Sequence, residues 1–249
     1  MSQQCSISPV DGSVKLSGNV RNSFPSNTQQ SGGFFQTVPN PVRFQALGQT
    51  WVNLVNRTLH LGAEMGVEGL ELLGVEVGFG AVNSGDEVID RWGDCQMIAQ
   101  MERVFFTEGA NPLGHSYAKL LRGPEGRQDL GDVISLLRQE PWSKRAVVTF
   151  CGDGNGKVPC LNTLQFLVRH NALHTMYFAR GQDAFRKFYA DGLCVGRMAR
   201  QVAEGLGLKA GDVRGWIGSS HIYHRDRPAI EQMLDGARDW IGAASEGGH

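Results

Sequence analysis

Val158-Pro159-Cys160-Leu161-Asn162-Thr163-Leu164-Gln165-Phe166-Leu167-Val168, a polar break at Arg169-His170-Asn171, then Leu173 to Phe178 and Arg180, is the stretch that decides how this chain folds. Two extended, mostly apolar runs joined by a short polar turn spell a β-hairpin. Cys160 opens the first strand, directly after Pro159. Proline has no N–H to give a sheet and is tolerated at a strand start, so Pro159 fixes where pairing begins. Gly152, Gly154 and Gly156 precede it in a loop that lets a ligand reach a thiol at the strand edge. A lone cysteine is most often a small buried hydrophobe, so its surroundings must argue for anything more.

Outward from the hairpin, apolar periodicity marks the other elements. Leu47, Trp51, Leu54, Val55 and Leu59 have helical spacing within 47–65, and Gly66 and Gly69 break it. Leu70 to Phe79 reads as a strand, and Ala146 to Phe150 as a buried one. Cys95 to Phe106 is a helix with Ile98, Met101, Phe105 and Phe106 on its apolar face, and Glu102 points along that face. Asp129 to Arg138 is a further helix, closed by Pro141. A helix after Asp183 carries Phe185, Phe188, Val195, Met198 and Val202. Lys209-Ala210-Gly211-Asp212 turns into a strand from Val213 to Ser219, and Pro228 to Trp240 is the last helix.

The 249 residues are 41% hydrophobic, enough for one domain with a substantial core, expected over 45–241. Residues 1–44, rich in Ser, Gln, Asn, Gly and Pro, are expected to be disordered or loosely attached, and 242–249 to be a flexible tail. A net charge of −1 argues against duplex nucleic acid as partner. There is no apolar run long enough for a membrane span and no signal-peptide pattern. Five dispersed cysteines without a Cys-x-x-Cys fit a reducing cytoplasm better than a disulfide framework or a metal site.

Pro159-Cys160, four residues, Gln165-Phe166-Leu167-Val168, and then Arg180-Gly181-Gln182-Asp183 after the hairpin resemble the thymidylate synthase family. With gaps the resemblance runs from Gly48 to Trp240 and is strongest from Ser143 to Tyr223. It implies an α/β (α+β) fold, a large mixed β-sheet flanked by helices that dimerises through the sheet. It implies that Cys160 is the nucleophile that adds to C6 of a pyrimidine nucleotide. Met101-Glu102-Arg103-Val104-Phe105-Phe106 looks like the family's helix with its proton-relaying Glu, Glu102. Tyr117 resembles the Tyr near the nucleophile. Ser143-Lys144-Arg145 is similar to a basic pair that crosses the dimer interface to the partner's phosphate, with Lys144 for the first Arg. Arg180 matches a phosphate Arg, Asp183 a folate-side Asp, and Gln165 lies in the substrate-binding motif. His221 and Tyr223 resemble the pair that binds the sugar hydroxyl. Two phosphate donors of the family are absent here: the 65–69 loop holds no Arg, and Gly181 replaces a Ser.

Asp191 stands where thymidylate synthases have Asn. An Asn amide both gives and takes, complementing the N3–H and O4 of uracil. A carboxylate instead accepts from cytosine N4–H₂, and with a proton shared with N3 the second bond forms too. Asp here resembles the (d)CMP hydroxymethylases of the same superfamily. The expectation is a cytoplasmic, homodimeric transferase that adds a hydroxymethyl group to C5 of CMP or dCMP from 5,10-methylenetetrahydrofolate. The alternatives are thymidylate-type methylation of a uridylate and a non-catalytic nucleotide-binding relative.

Overall fold

The computed structural model describes residues 45–82, 85–109, 116–121, 129–152 and 158–238. The expected loose segment 1–44, the tail 242–249, Gly154, Gly156 and the end of the expected last helix, 239–240, lie outside those residues. In chain order the elements are α1 (Leu47–Leu61), β1 (Ala63–Met65), β2 (Gly69–Phe79), α2 (Glu87–Trp92), α3 (Cys95–Phe106), α4 (Tyr117–Leu121), α5 (Leu130–Gln139), β3 (Val147–Thr149), β4 (Leu161–Arg169), β5 (Ala172–Asp183), α6 (Phe188–Leu206), β6 (Lys209–Tyr223) and α7 (Arg227–Gly236).

Local chemistry sets these boundaries. Asp86 and Asp94 cap α2 and α3 by accepting from backbone N–H groups in the first turn. Asp129 and Asp132 form a reciprocal capping box at the start of α5. Gly207, at φ 69, closes α6 in the left-handed conformation that glycine adopts without strain. His170 and Asn171, at φ 49 and 60, make the two-residue turn between β4 and β5; two positive φ values match the twist of the flanking strands.

The strand order is β1-β2-β6-β5-β4-β3. All neighbours are antiparallel except β5 and β6, which run parallel with α6 as their crossover. The sheet is therefore mixed and flanked by helices, as expected. Helix α6 packs on β5 and β6 and touches α1, α3 and α5. Trp51, Phe79, Phe105, Phe150, Phe166, Phe188 and Met198 fill the core between them. Phe178 and Trp216 are direct register partners and 41% and 50% exposed, so the sheet carries large apolar side chains on a face that nothing in the chain covers among the described residues. The Arg214–Glu76 ion pair, at 2.7 Å, lies beside them.

Three details differ from the expectations. Gly62 ends α1 early, and 63–65, inside the stretch read as helical, pair with β2. Strand β6 starts at Lys209, where a turn was expected, because Ala172 and Leu173 of β5 pair with Lys209 and Ala210. Phe185, expected on the helix after Asp183, lies in the turn before α6, which begins at Phe188.

Candidate active site

The segment carrying Cys160 is held from both sides. Arg180, opposite it on β5, gives its backbone N–H to the Cys160 carbonyl at 2.9 Å. The Arg180 guanidinium donates from Nε to Pro159 O at 3.1 Å and from Nη2 to Val158 O at 2.6 Å. Asn162 closes the loop: Nδ2 donates to Pro159 O and Oδ1 accepts from Arg180 N. The ladder slips between Leu161 and Thr163, a bulge of the kind that re-aims a side chain next to a site. Tyr117 lies beneath, its hydroxyl accepting from Leu161 N at 3.1 Å and its ring packed between Phe105 and Phe150. Cys160 is partly buried, and that burial pushes its thiol up; Asp191 adds to the rise, while Arg180 and Lys187 pull it back.

Asp191 faces this thiol from the first turn of α6 and lines a small cleft with Leu161, Tyr177, Gln182, Phe188, Gly192 and Val195. Its Oδ2 accepts from Gln182 Nε2 at 2.8 Å. Its Oδ1 is buried without a hydrogen-bond partner among the described residues. A buried acceptor left unmet costs about 1–3 kcal/mol, so Oδ1 is the atom of this wall with capacity for a ligand's donor. Burial pushes the Asp191 carboxyl up to about 6, against the pull of Gln182 and Lys187. Near neutrality the group can therefore carry or shed its proton.

Asp183 ends β5 beside His221 of β6, its register partner. Its Oδ1 accepts from Arg186 N at 2.8 Å; burial raises its carboxyl, and His221 and Lys187 counteract that. The His221 and Tyr223 rings meet edge to face at 5.4 Å, and Tyr223 is electrostatically coupled to Asp183 and Cys160. Cys160, Tyr117, Arg180, Asp183, Asp191, His221 and Tyr223 thus gather at one end of the sheet. Glu102 approaches from α3, where Arg197 of α6 donates to it at 3.4 Å and stacks over Phe106 at 4.2 Å. Burial pushes the thiol of the neighbouring Cys194 up, and Asp191 and Glu102 add to the rise.

Three expected site residues lie apart from this cluster. Gln165 shares a sheet face with Met176, and its amide donates to Lys144 O at 2.9 Å. Lys144 is exposed beside the edge strand β3. Arg145 is exposed and holds Glu140 with both carboxylate oxygens, at 2.7 and 2.6 Å. Conversely, sequence reasoning overlooked Gln182, Tyr177, Asn162 and Lys187. Only Lys187 gave a signal, as a cation in a turn between two acids.

Among the described residues no cluster of His, Cys, Asp and Glu could hold a metal ion, and no helix is long and apolar enough to cross a membrane.

A family model described as thymidylate synthase matches residues 85–239. Similar proteins include two named "Putative thymidylate synthase": one from Methanosarcina barkeri, 27% identical over 150 residues, covering 58% of this chain and 69% of that one, and one from Methanococcoides burtonii, 25% identical over 152 residues, covering 59% and 70%. The "Thymidylate synthase" of Mycoplasma mobile is 26% identical over 135 residues, covering 53% and 47%.

Proposed function

This chain belongs to the thymidylate synthase family, and from that premise we propose that it transfers a hydroxymethyl group to C5 of a cytidine monophosphate, CMP or dCMP. The observation that carries the reading is Asp191, a carboxyl poised near 6 with one buried oxygen unmet at the cleft wall. A neutral carboxyl complements the cytosine edge, accepting from N4–H₂ and donating to N3. With Gln182 N–H holding Oδ2 as the acceptor oxygen, the carboxyl would set its donor against uracil N3–H. Leaving such a pair unmet costs about 1–3 kcal/mol, or roughly tenfold or more in discrimination.

The family uses 5,10-methylenetetrahydrofolate as its one-carbon donor. The residues present suit a folate: Asp183 has one carboxylate oxygen engaged by Arg186 N and acceptor capacity left for the N–H groups of a pterin. When bound, the folate supplies the carbon at the methylene oxidation level.

In this reading the Cys160 sulfur bonds to C6 of the pyrimidine, and the ring electrons move toward C5, which becomes the nucleophile. The thiol must first lose its proton, which the Arg180 and Lys187 charges favour against burial. Glu102, kept in place by Arg197, moves protons at the ring and orients the water that becomes the new hydroxyl. Tyr117 holds the backbone after the nucleophile. His221 and Tyr223 bind the sugar hydroxyl, and Arg180 faces the phosphate. Lys144 and Arg145 serve a second subunit's phosphate, and their distance from this chain's own cleft agrees with that. The uncovered face bearing Phe178 and Trp216 supplies the surface for a homodimer.

The names of the relatives favour a second reading, methylation of a uridylate. Exchanging Asp191→Asn separates the two. The cytidylate reading expects the variant to lose CMP and dCMP turnover and to gain relative preference for UMP and dUMP by about tenfold or more. A variant whose base preference equals that of the parent would refute it.

A further inference from the structure

Gln182 is buried and lines the cleft with Asp191. Its backbone pairs with Ser220 on β6, one residue before the end of β5, and its amide reaches toward α6. There Nε2 donates to Asp191 Oδ2 at 2.8 Å. The second carboxylate oxygen is the one without a partner among the described residues. We propose that Gln182 is a positioning residue for base selection: its N–H bonds one lone pair of Asp191 Oδ2, which makes Oδ2 the acceptor oxygen and leaves Oδ1 to carry the proton toward the pyrimidine edge. The inference rests on the cytidylate reading and deepens it.

With Oδ2 fixed as the acceptor, the protonation of Asp191 decides what is read. A proton on Oδ1 donates to cytosine N3 while Oδ2 accepts from N4–H₂, and the same proton opposes uracil N3–H. An ionised Oδ1 accepts from either cytosine N4–H₂ or uracil N3–H, and discrimination shrinks. Base preference is therefore tied to the titration of Asp191. The groups that set this titration are Gln182 from β5 and Lys187 from α6, which favour the ionised form, and Asp183, which opposes it. Cys160, Tyr117, Tyr177 and Cys194 also face the carboxyl and are neutral while protonated. A hydrogen bond from an amide N–H stabilises the charged carboxylate, so Gln182 also limits the pH range in which cytosine is favoured.

The test is equilibrium binding of CMP and UMP, and of dCMP and dUMP, to the folate-free protein by calorimetry across the range around pH 6. The ratio of affinities within each pair cancels the phosphate titration, which both nucleotides share. The parent should favour the cytidylate by about tenfold or more at the acid end, losing that preference as pH rises through the Asp191 titration. Gln182→Glu keeps the shape and shares a proton with Asp191; Gln182→Leu removes the donor. Both should move the loss of preference to higher pH, by roughly one unit or more. A parent that keeps its pH-dependent preference while neither variant shifts it would overturn the role of Gln182 and leave the cytidylate reading standing. So would a preference without pH dependence. A parent that favours uridylate throughout would remove both.

Discussion

Two side chains carry most of the account, and each has a separable signature. Asp191 titrates higher in the folded protein, where burial pushes its carboxyl up to about 6, than in the unfolded chain, so the native state holds more protons in the range below that value. Its contribution to stability is complete below the unfolded pKa and is lost as pH rises through the folded one. Two units correspond to about 3 kcal/mol. Asp191→Asn should therefore be more stable than the parent above pH 6 by up to about that amount, with the advantage shrinking toward acid; parallel urea titrations at both ends of the range measure it. Tyr117 is the complementary case. Tyr117→Phe takes away the acceptor of the buried Leu161 N–H and should cost about 1–3 kcal/mol in the same assay. It should also slow alkylation or turnover at Cys160, because the segment after the nucleophile loses its anchor.

At the level of elements, the β4–β5 hairpin places Cys160 and Arg180 opposite each other, and its turn is a point of control. His170 and Asn171 both have positive φ, which costs a side chain more than it costs glycine. Asn171→Gly should leave the fold intact and raise stability by a few tenths of a kcal/mol, whereas Asn171→Val should lower it by about 1–2 kcal/mol. Sheet packing is less forgiving at Gly215, where an added Cβ would sit 2.0 Å from the Tyr177 ring that lines the cleft. Gly215→Ala should displace Tyr177 and lower nucleotide affinity even where the protein still folds. Such elements were legible in the sequence wherever period and punctuation agreed: the hairpin from its polar break, α3 to the residue, α5 from Asp129. Strand β1 was not, because three residues carry no period and only the pairing with β2 makes them a strand. The early start of β6 was hidden for the same reason, since its partner is the distant β5.

For the whole molecule, the mixed sheet and its helices followed from the resemblance, and Cys160, Tyr117, Arg180, Asp183, Asp191, His221 and Tyr223, each named from the sequence, lie at one end of that sheet. Contacts made only in three dimensions were not legible: the Gln182 amide on Asp191, the Asn162 bridge, and Arg197 against Glu102. The apolar sheet face makes a claim about assembly. Trp216→Glu should convert a dimer to monomers in sedimentation and, because Lys144 and Arg145 would then have no second subunit to serve, should make turnover fail with them. The central claim, that Cys160 activates a cytidylate ring at C5, is tested most directly by tritium release from C5-labelled CMP, dCMP, UMP and dUMP with methylenetetrahydrofolate present. The account predicts release from a cytidylate, a hydroxymethylated product by mass, and no release in Cys160→Ser; release from the uridylates alone, or undiminished release without the Cys160 sulfur, would contradict it.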